Sequence, residues 1–147
     1  MSVILLINGP NLNLLGDREP EVYGTDTLED CVGDARDAAV AAGHALEHVQ
    51  SNHEGELIEA IQGARGLAAA IMINPGAFTH TSYAIADALA AYEGVKVELH
   101  LSNTAAREEW RRTSVVGPVV TGTVAGFGRT GYRLAVEAAI ASMSEDT

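Results

Sequence analysis

The sequence predicts an α/β protein in which five parallel strands are covered by helices on both faces. Three observations carry that prediction. Short apolar runs alternate with stretches of helical periodicity along the whole chain. The 147 residues fit one compact domain, 1–147, with no room for a second. Apolar residues make up 47% of the chain but aromatics only 5%, so the core must be built from Ala, Val, Ile and Leu.

Val3 to Ile7 is a continuous apolar run ended by Asn8-Gly9-Pro10, which fits a buried parallel strand. The stretch 8–25 is long, rich in Gly, Pro and Asn, and fits an active-site lid. Asp26 or Thr27 then caps a helix, with Glu29 placed as in a capping box, and Gly43 stops it. His44 to Gln50 reads as a second strand and Glu54 to Ala64 as a second helix. Ala69 to Asn74 is a third strand, Ser82 to Tyr92 a third helix, and Val95 to Leu101 a fourth strand. A short helix from Ala105 to about Arg112 follows, then a fifth strand, Val119 to Ala125, and a last helix ending near Met143. The right-handed crossover rule favours a doubly wound, flavodoxin-like strand order of 2-1-3-4-5.

A net charge of −11 argues against nucleic acid or an anionic membrane as a partner. The single cysteine, Cys31, precludes an internal disulfide and points to a reducing, cytoplasmic compartment, where the residue packs a helix. Residues 1–8 read as a strand rather than a signal peptide, and no apolar run reaches the ~18 residues of a membrane helix. The only lysine, Lys96, opens the fourth strand with its side chain expected in solvent, a poor place for Schiff-base chemistry.

In such sheets ligands bind beyond the carboxyl ends of the strands. There the first strand delivers Asn8 and Asn11, then Arg18 and Tyr23, and the second delivers Gln50 to His53. The third delivers Asn74, Gly76, His80 and Ser82; the fourth delivers Glu98, His100, Ser102 and Asn103, with Arg107 and Arg111 behind them. Polar groups on every loop of one rim point to an active site. Glu98 and His100 share one face of a strand, so the carboxylate can hold the imidazole's proton and orientation. The five histidines have no zinc-site spacing, and His44 and His48 read as structural. His53 and Glu54 shape a helix start, and Trp110 reads as buried packing or an interface anchor.

The runs Asn8-Gly-Pro-Asn-Leu-Asn-Leu-Leu-Gly16, Arg18-Glu-Pro20 with Tyr23-Gly24, Gln50-Ser-Asn-His-Glu-Gly-Glu56, Ile73-Asn-Pro-Gly-Ala77 with Thr79-His-Thr-Ser82, and Glu98-Leu-His-Leu-Ser-Asn103 resemble the type II 3-dehydroquinate dehydratases. The likeness continues through Gly122 and the turn from Gly128 to Tyr132. It implies a lyase needing neither metal nor cofactor. In that family's pattern Tyr23 is the base that takes the C2 proton of 3-dehydroquinate, and His100 is the acid that protonates the departing C1 hydroxyl. Asn11 holds a water on the enolate, and Arg18 stabilises the transition state when the lid closes. Asn74, His80, Leu101, Ser102 and Arg111 bind substrate, with Arg107 and Gly76 in support. Asp87 reaches the site of a neighbouring subunit within a trimer, and four trimers form a dodecamer.

Blander readings stand beside these. Tyr23 could merely pack the loop down, Arg18 could pair with Glu19 or Glu21, and Asp87 could lie on a solvated helix face. As a whole, the chain could be a non-enzymatic flavodoxin-like binding domain, although such a domain calls for an acidic rim. A hydrolase using Ser102 with His100 lacks the Gly-x-Ser-x-Gly elbow. The dehydration could serve shikimate synthesis, the role favoured here, or quinate breakdown.

Overall fold

The computed structural model describes residues 1–17 and 19–145, the side chains of Tyr23 and Glu145 excepted. Its strands are β1 (Val3–Asn8), β2 (Ala45–Gln50), β3 (Ala70–Asn74), β4 (Val95–His100) and β5 (Gly122–Ala125). All pair in parallel, in the order β2-β1-β3-β4-β5. Helices α1 (Pro20–Tyr23), α2 (Leu28–Ala41), α3 (Glu54–Gly63), α4 (Tyr83–Ala90) and α5 (Thr130–Glu145) connect or follow them.

Alternation along the strands explains the layers. Ile4, Leu6, Met72, Val97 and Leu99 point to one face, where α2 and α5 cover them with Val32, Ala35, Tyr132 and Val136. Leu5, Ile7, Ile71 and Ile73 point to the other, where α3 and α4 supply Leu57, Ile61, Ile85 and Leu89. Strands buried on both sides read as apolar runs, as β1 and β3 do up to the asparagines, Asn8 and Asn74, that end them at the cleft.

Several boundaries differ from expectation for identifiable reasons. The capping box of α2 is Thr27 with Asp30, at 3.2 and 3.0 Å, because Asp26 is engaged by Arg129 Nη1 at 3.1 Å. The expected short helix is two 3-10 turns, Thr104–Ala106 and Glu109–Arg112, broken where Arg107 is extended. The fifth strand starts three residues late because Val119 ends a 3-10 turn, Gly117–Val119, in which its N–H is taken by the Val116 carbonyl at 3.0 Å. Lys96 is not a solvated side chain. Its Nζ donates to the carbonyls of Leu89 (3.0 Å) and Tyr92 (2.7 Å), closing the C-terminal end of α4.

The expected lid is also fastened more firmly than its composition suggests. Leu12 and Leu15, within and beside a 3-10 turn (Leu12–Leu14), are buried in the α2 core. Cys31 is buried there too, and burial pushes its thiol up to about 12. Among the described residues, no helix is long and apolar enough to cross a membrane.

Candidate active site

The carboxyl ends of β1, β3 and β4 open into a cleft lined by Asn11, Leu12, Asn74, Gly76, His80, His100, Leu101, Ser102, Arg107 and Arg111. Two turns press together to form its floor. A Cβ on Gly9 would lie 2.7 Å from the Pro75 carbonyl oxygen, and one on Gly76, whose φ is +61°, would lie 3.1 Å from that of Pro10. Asn11 follows the first of these turns, Asn74 precedes the second, and both line the cleft. Asn11 adopts the left-handed conformation, φ 69°, that asparagine tolerates, and its N–H donates to Asn52 Oδ1 at 3.0 Å.

His100 closes the end of β4 and is buried, with Nε2 2.6 Å from Glu98 Oε2. The same oxygen accepts from Thr79 Oγ1 at 2.5 Å and from Ser114 Oγ at 3.0 Å. Burial alone would push the Glu98 carboxyl up, but these three donors outweigh it and hold it below the usual range. Glu98 is therefore an anion whose lone pairs are well occupied. It can only accept, so the proton between the pair sits on His100 Nε2, and Nδ1 is the nitrogen left for the cleft.

Two cations line the same cleft. Arg107 Nη1 donates to Ser102 Oγ at 3.1 Å, and Arg111 Nε donates to Glu108 Oε2 at 2.8 Å. The Arg111 guanidinium also lies over Trp110, 4.0 Å from the ring centroid. The same indole packs nearly perpendicular to the His80 ring, with centroids 5.3 Å apart, and His80 Nδ1 donates to the Thr113 carbonyl at 2.7 Å. Trp110 is thus not buried packing. It is a half-exposed plate that orients two cleft residues, Arg111 and His80.

The cleft gathers Asn11, Asn74, Gly76, His80, His100, Leu101, Ser102, Arg107 and Arg111, with Glu98 directly behind His100. It does not include Asp87, which is exposed on α4. Arg18 and the side chain of Tyr23 lie outside the described residues; the Tyr23 backbone ends α1. The sequence assigned no part to Thr79, Ser114 or Tyr132, which the fold brings against Glu98 and Asn74, and placed Asn8 on the rim without its bond to Tyr132. Thr79 stood inside a quoted motif, but Ser114 had no signal of its own. Among the described residues no group of three or more His, Cys, Asp or Glu side chains could hold a metal ion.

A family model described as dehydroquinase class II matches residues 2–140. A catabolic 3-dehydroquinase from Penicillium rubens is 54% identical over 134 residues, covering 91% of this chain and 86% of that protein. The 3-dehydroquinate dehydratase 2 of Agrobacterium fabrum is 54% identical over 136 residues, covering 92% of each. Among solved structures, the type II dehydroquinase from Butyrivibrio crossotus superposes with a TM-score of 0.91 at 45% identity, covering 95% of this chain and 97% of that one. The chain belongs to the class II dehydroquinase family and is by that membership a 3-dehydroquinate dehydratase.

Proposed function

We propose that the chain converts 3-dehydroquinate to 3-dehydroshikimate through an enolate, with Tyr23 as base and His100 as acid. The observation that carries this reading is the buried Glu98–His100 pair at the end of β4, facing a cleft with two arginines. Tyr23 takes the C2 proton, and the electron pair moves onto the C3 carbonyl oxygen. The enolate then returns its electrons to form the C1–C2 double bond and expels the C1 hydroxyl. His100 protonates that leaving group, and Glu98 balances the ring's charge whenever both nitrogens carry protons.

A free phenol, with a pKa near 10, is a poor base at neutral pH. Favouring tyrosinate by two units takes about 2.7 kcal/mol. Arg18, five residues earlier in the sequence, and Arg107 in the cleft are the sources of that field. Asn11 holds the water that meets the enolate oxygen, and Arg18 adds positive charge there. The backbone amides of Leu101 and Ser102 take the carboxylate, and Asn74, His80 and Arg111 hold the ring's oxygens, with Gly76 keeping the floor open. The chemistry needs no metal or cofactor.

Asp87 stands outside the cleft of its own chain, which supports a role in a neighbouring subunit's site within a trimer, and through it a dodecamer of four trimers. We place the reaction in the cytoplasm and in the shikimate pathway to the aromatic amino acids. A relative named a catabolic 3-dehydroquinase and one named simply a 3-dehydroquinate dehydratase match at the same identity, so quinate breakdown is the competing assignment. Aromatic auxotrophy on deletion supports the first; loss of growth on quinate alone supports the second.

An ultraviolet assay for the conjugated enone product tests the mechanism. Wild type turns over, while Tyr23→Phe and His100→Ala each lose at least about a hundredfold in kcat. Tight binding of 3-dehydroquinate by wild type without product would make the chain a binding domain instead.

A further inference from the structure

Beneath the cleft floor runs a buried chain of hydrogen bonds whose direction is set at one end. The Gly76 N–H can only donate, and it donates to Asn74 Oδ1 at 3.2 Å. That leaves Nδ2 as the Asn74 group facing Tyr132, whose hydroxyl oxygen it meets at 3.3 Å. Having accepted there, the Tyr132 hydroxyl donates to Asn8 Oδ1 at 2.6 Å. The Asn8 amide must then present Nδ2 to His48 Nε2, 3.0 Å away, so that nitrogen accepts and the His48 proton is on Nδ1. Every member has one consistent role, and reversing any one would set two donors or two acceptors face to face.

The setting favours rigidity. Tyr132 and Asn8 are fully buried, and Asn74 is 3% exposed. Burial pushes the Tyr132 phenol well up, so its O–H is a permanent donor. Burial likewise holds the His48 imidazole below its ordinary value, in keeping with an accepting Nε2. Tyr132 comes from α5, Asn8 from β1 and Asn74 from β3, so the chain ties three elements together at the cleft. Because Asn74 lines the cleft and its Nδ2 carries two hydrogens, one remains for a ligand.

We infer that Tyr132 and Asn8 are positioning residues: together with the Gly76 N–H, which sets the amide's direction, they hold the Asn74 amide in the place and orientation from which it meets the substrate. The inference rests on the proposed role of Asn74 in binding 3-dehydroquinate. If Asn74 serves binding rather than a bond change, as the proposed function has it, the relay governs ground-state and transition-state binding alike and appears in KM.

The test is steady-state dehydration by Tyr132→Phe, Asn74→Ala, the double variant, Asn8→Ala and Asn8→Asp. Phenylalanine keeps the buried ring and removes only the hydroxyl. It raises KM about fivefold with kcat changed less than about twofold. In the Asn74→Ala background the same change moves KM no further, because there is no amide left to orient. Asn8→Asp keeps an oxygen toward Tyr132 and lets His48 donate to the other, so it retains the wild-type KM; Asn8→Ala raises it. This pair also carries the test if Tyr132→Phe fails to fold. An unchanged KM in Tyr132→Phe, with or without lower thermal stability, overturns the inference. So does a KM effect of equal size in the Asn74→Ala background, or an Asn8→Asp variant no better than Asn8→Ala. Absence of product from wild type overturns the proposed function instead.

Discussion

Removing the Thr79 hydroxyl tests whether Glu98 is held as an anion for His100. Thr79→Val keeps the shape of the side chain and deletes the 2.5 Å bond to Glu98 Oε2. Thr79 is 1% exposed and Glu98 is 1% exposed, so water cannot replace the donor without rearrangement. A hydroxyl donating to a buried carboxylate contributes about 1.5–3 kcal/mol, and Ser114 and His100 remain to compensate part of it. A loss of about 1.5 kcal/mol near neutral pH follows, or roughly 3–6 °C in Tm for a chain of this size. The sign with pH is fixed. The folded carboxyl titrates below its unfolded value, so its contribution is present above the unfolded range and is lost as pH falls through the folded one. The stability gap between wild type and Thr79→Val is therefore full at neutral pH and narrows on acidification. In the same variant the acidic limb of the kcat profile moves toward neutrality, and Thr79→Ser restores both. Urea unfolding at matched protein concentration across the acid range measures the first effect, and the dehydration assay the second. An identical gap at every pH, with an unmoved acidic limb, refutes the reasoning.

The buried Cys31 thiol, pushed up to about 12, reacts with Ellman's reagent at neutral pH only as fast as the chain unfolds; rapid labelling of native protein contradicts its placement. Borohydride added with 3-dehydroquinate leaves activity intact, since Lys96 caps α4 at the amino end of β4; inactivation would revive an imine route. Trp110→Leu frees Arg111 and His80 to move and raises KM about two- to fivefold, as the loss of an exposed cation–π contact predicts. An unchanged KM would mean that the plate orients neither.

Local patterns carried most of the fold. The apolar runs of β1 and β3 announced central strands, and the two-residue spacing of Glu98 and His100 put both on one face of β4. What escaped was set by contacts remote in the chain. Asp26 had the right chemistry to cap α2 but is engaged by Arg129, 103 positions later. Lys96 opened an apolar strand, yet free carbonyls at the end of α4 drew its ammonium inward. Ser114 meets Glu98 only because the chain returns through two 3-10 turns, and the Tyr132–Asn8 bond spans 124 positions. No periodicity records such meetings.

The division of labour between base and acid is open to direct measurement. In deuterated water, exchange of the substrate's C2 hydrogen reports proton removal, and appearance of the enone reports loss of water. The account predicts that His100→Ala continues to exchange while making almost no product, and that Tyr23→Phe does neither. Exchange at the wild-type rate in Tyr23→Phe would contradict it.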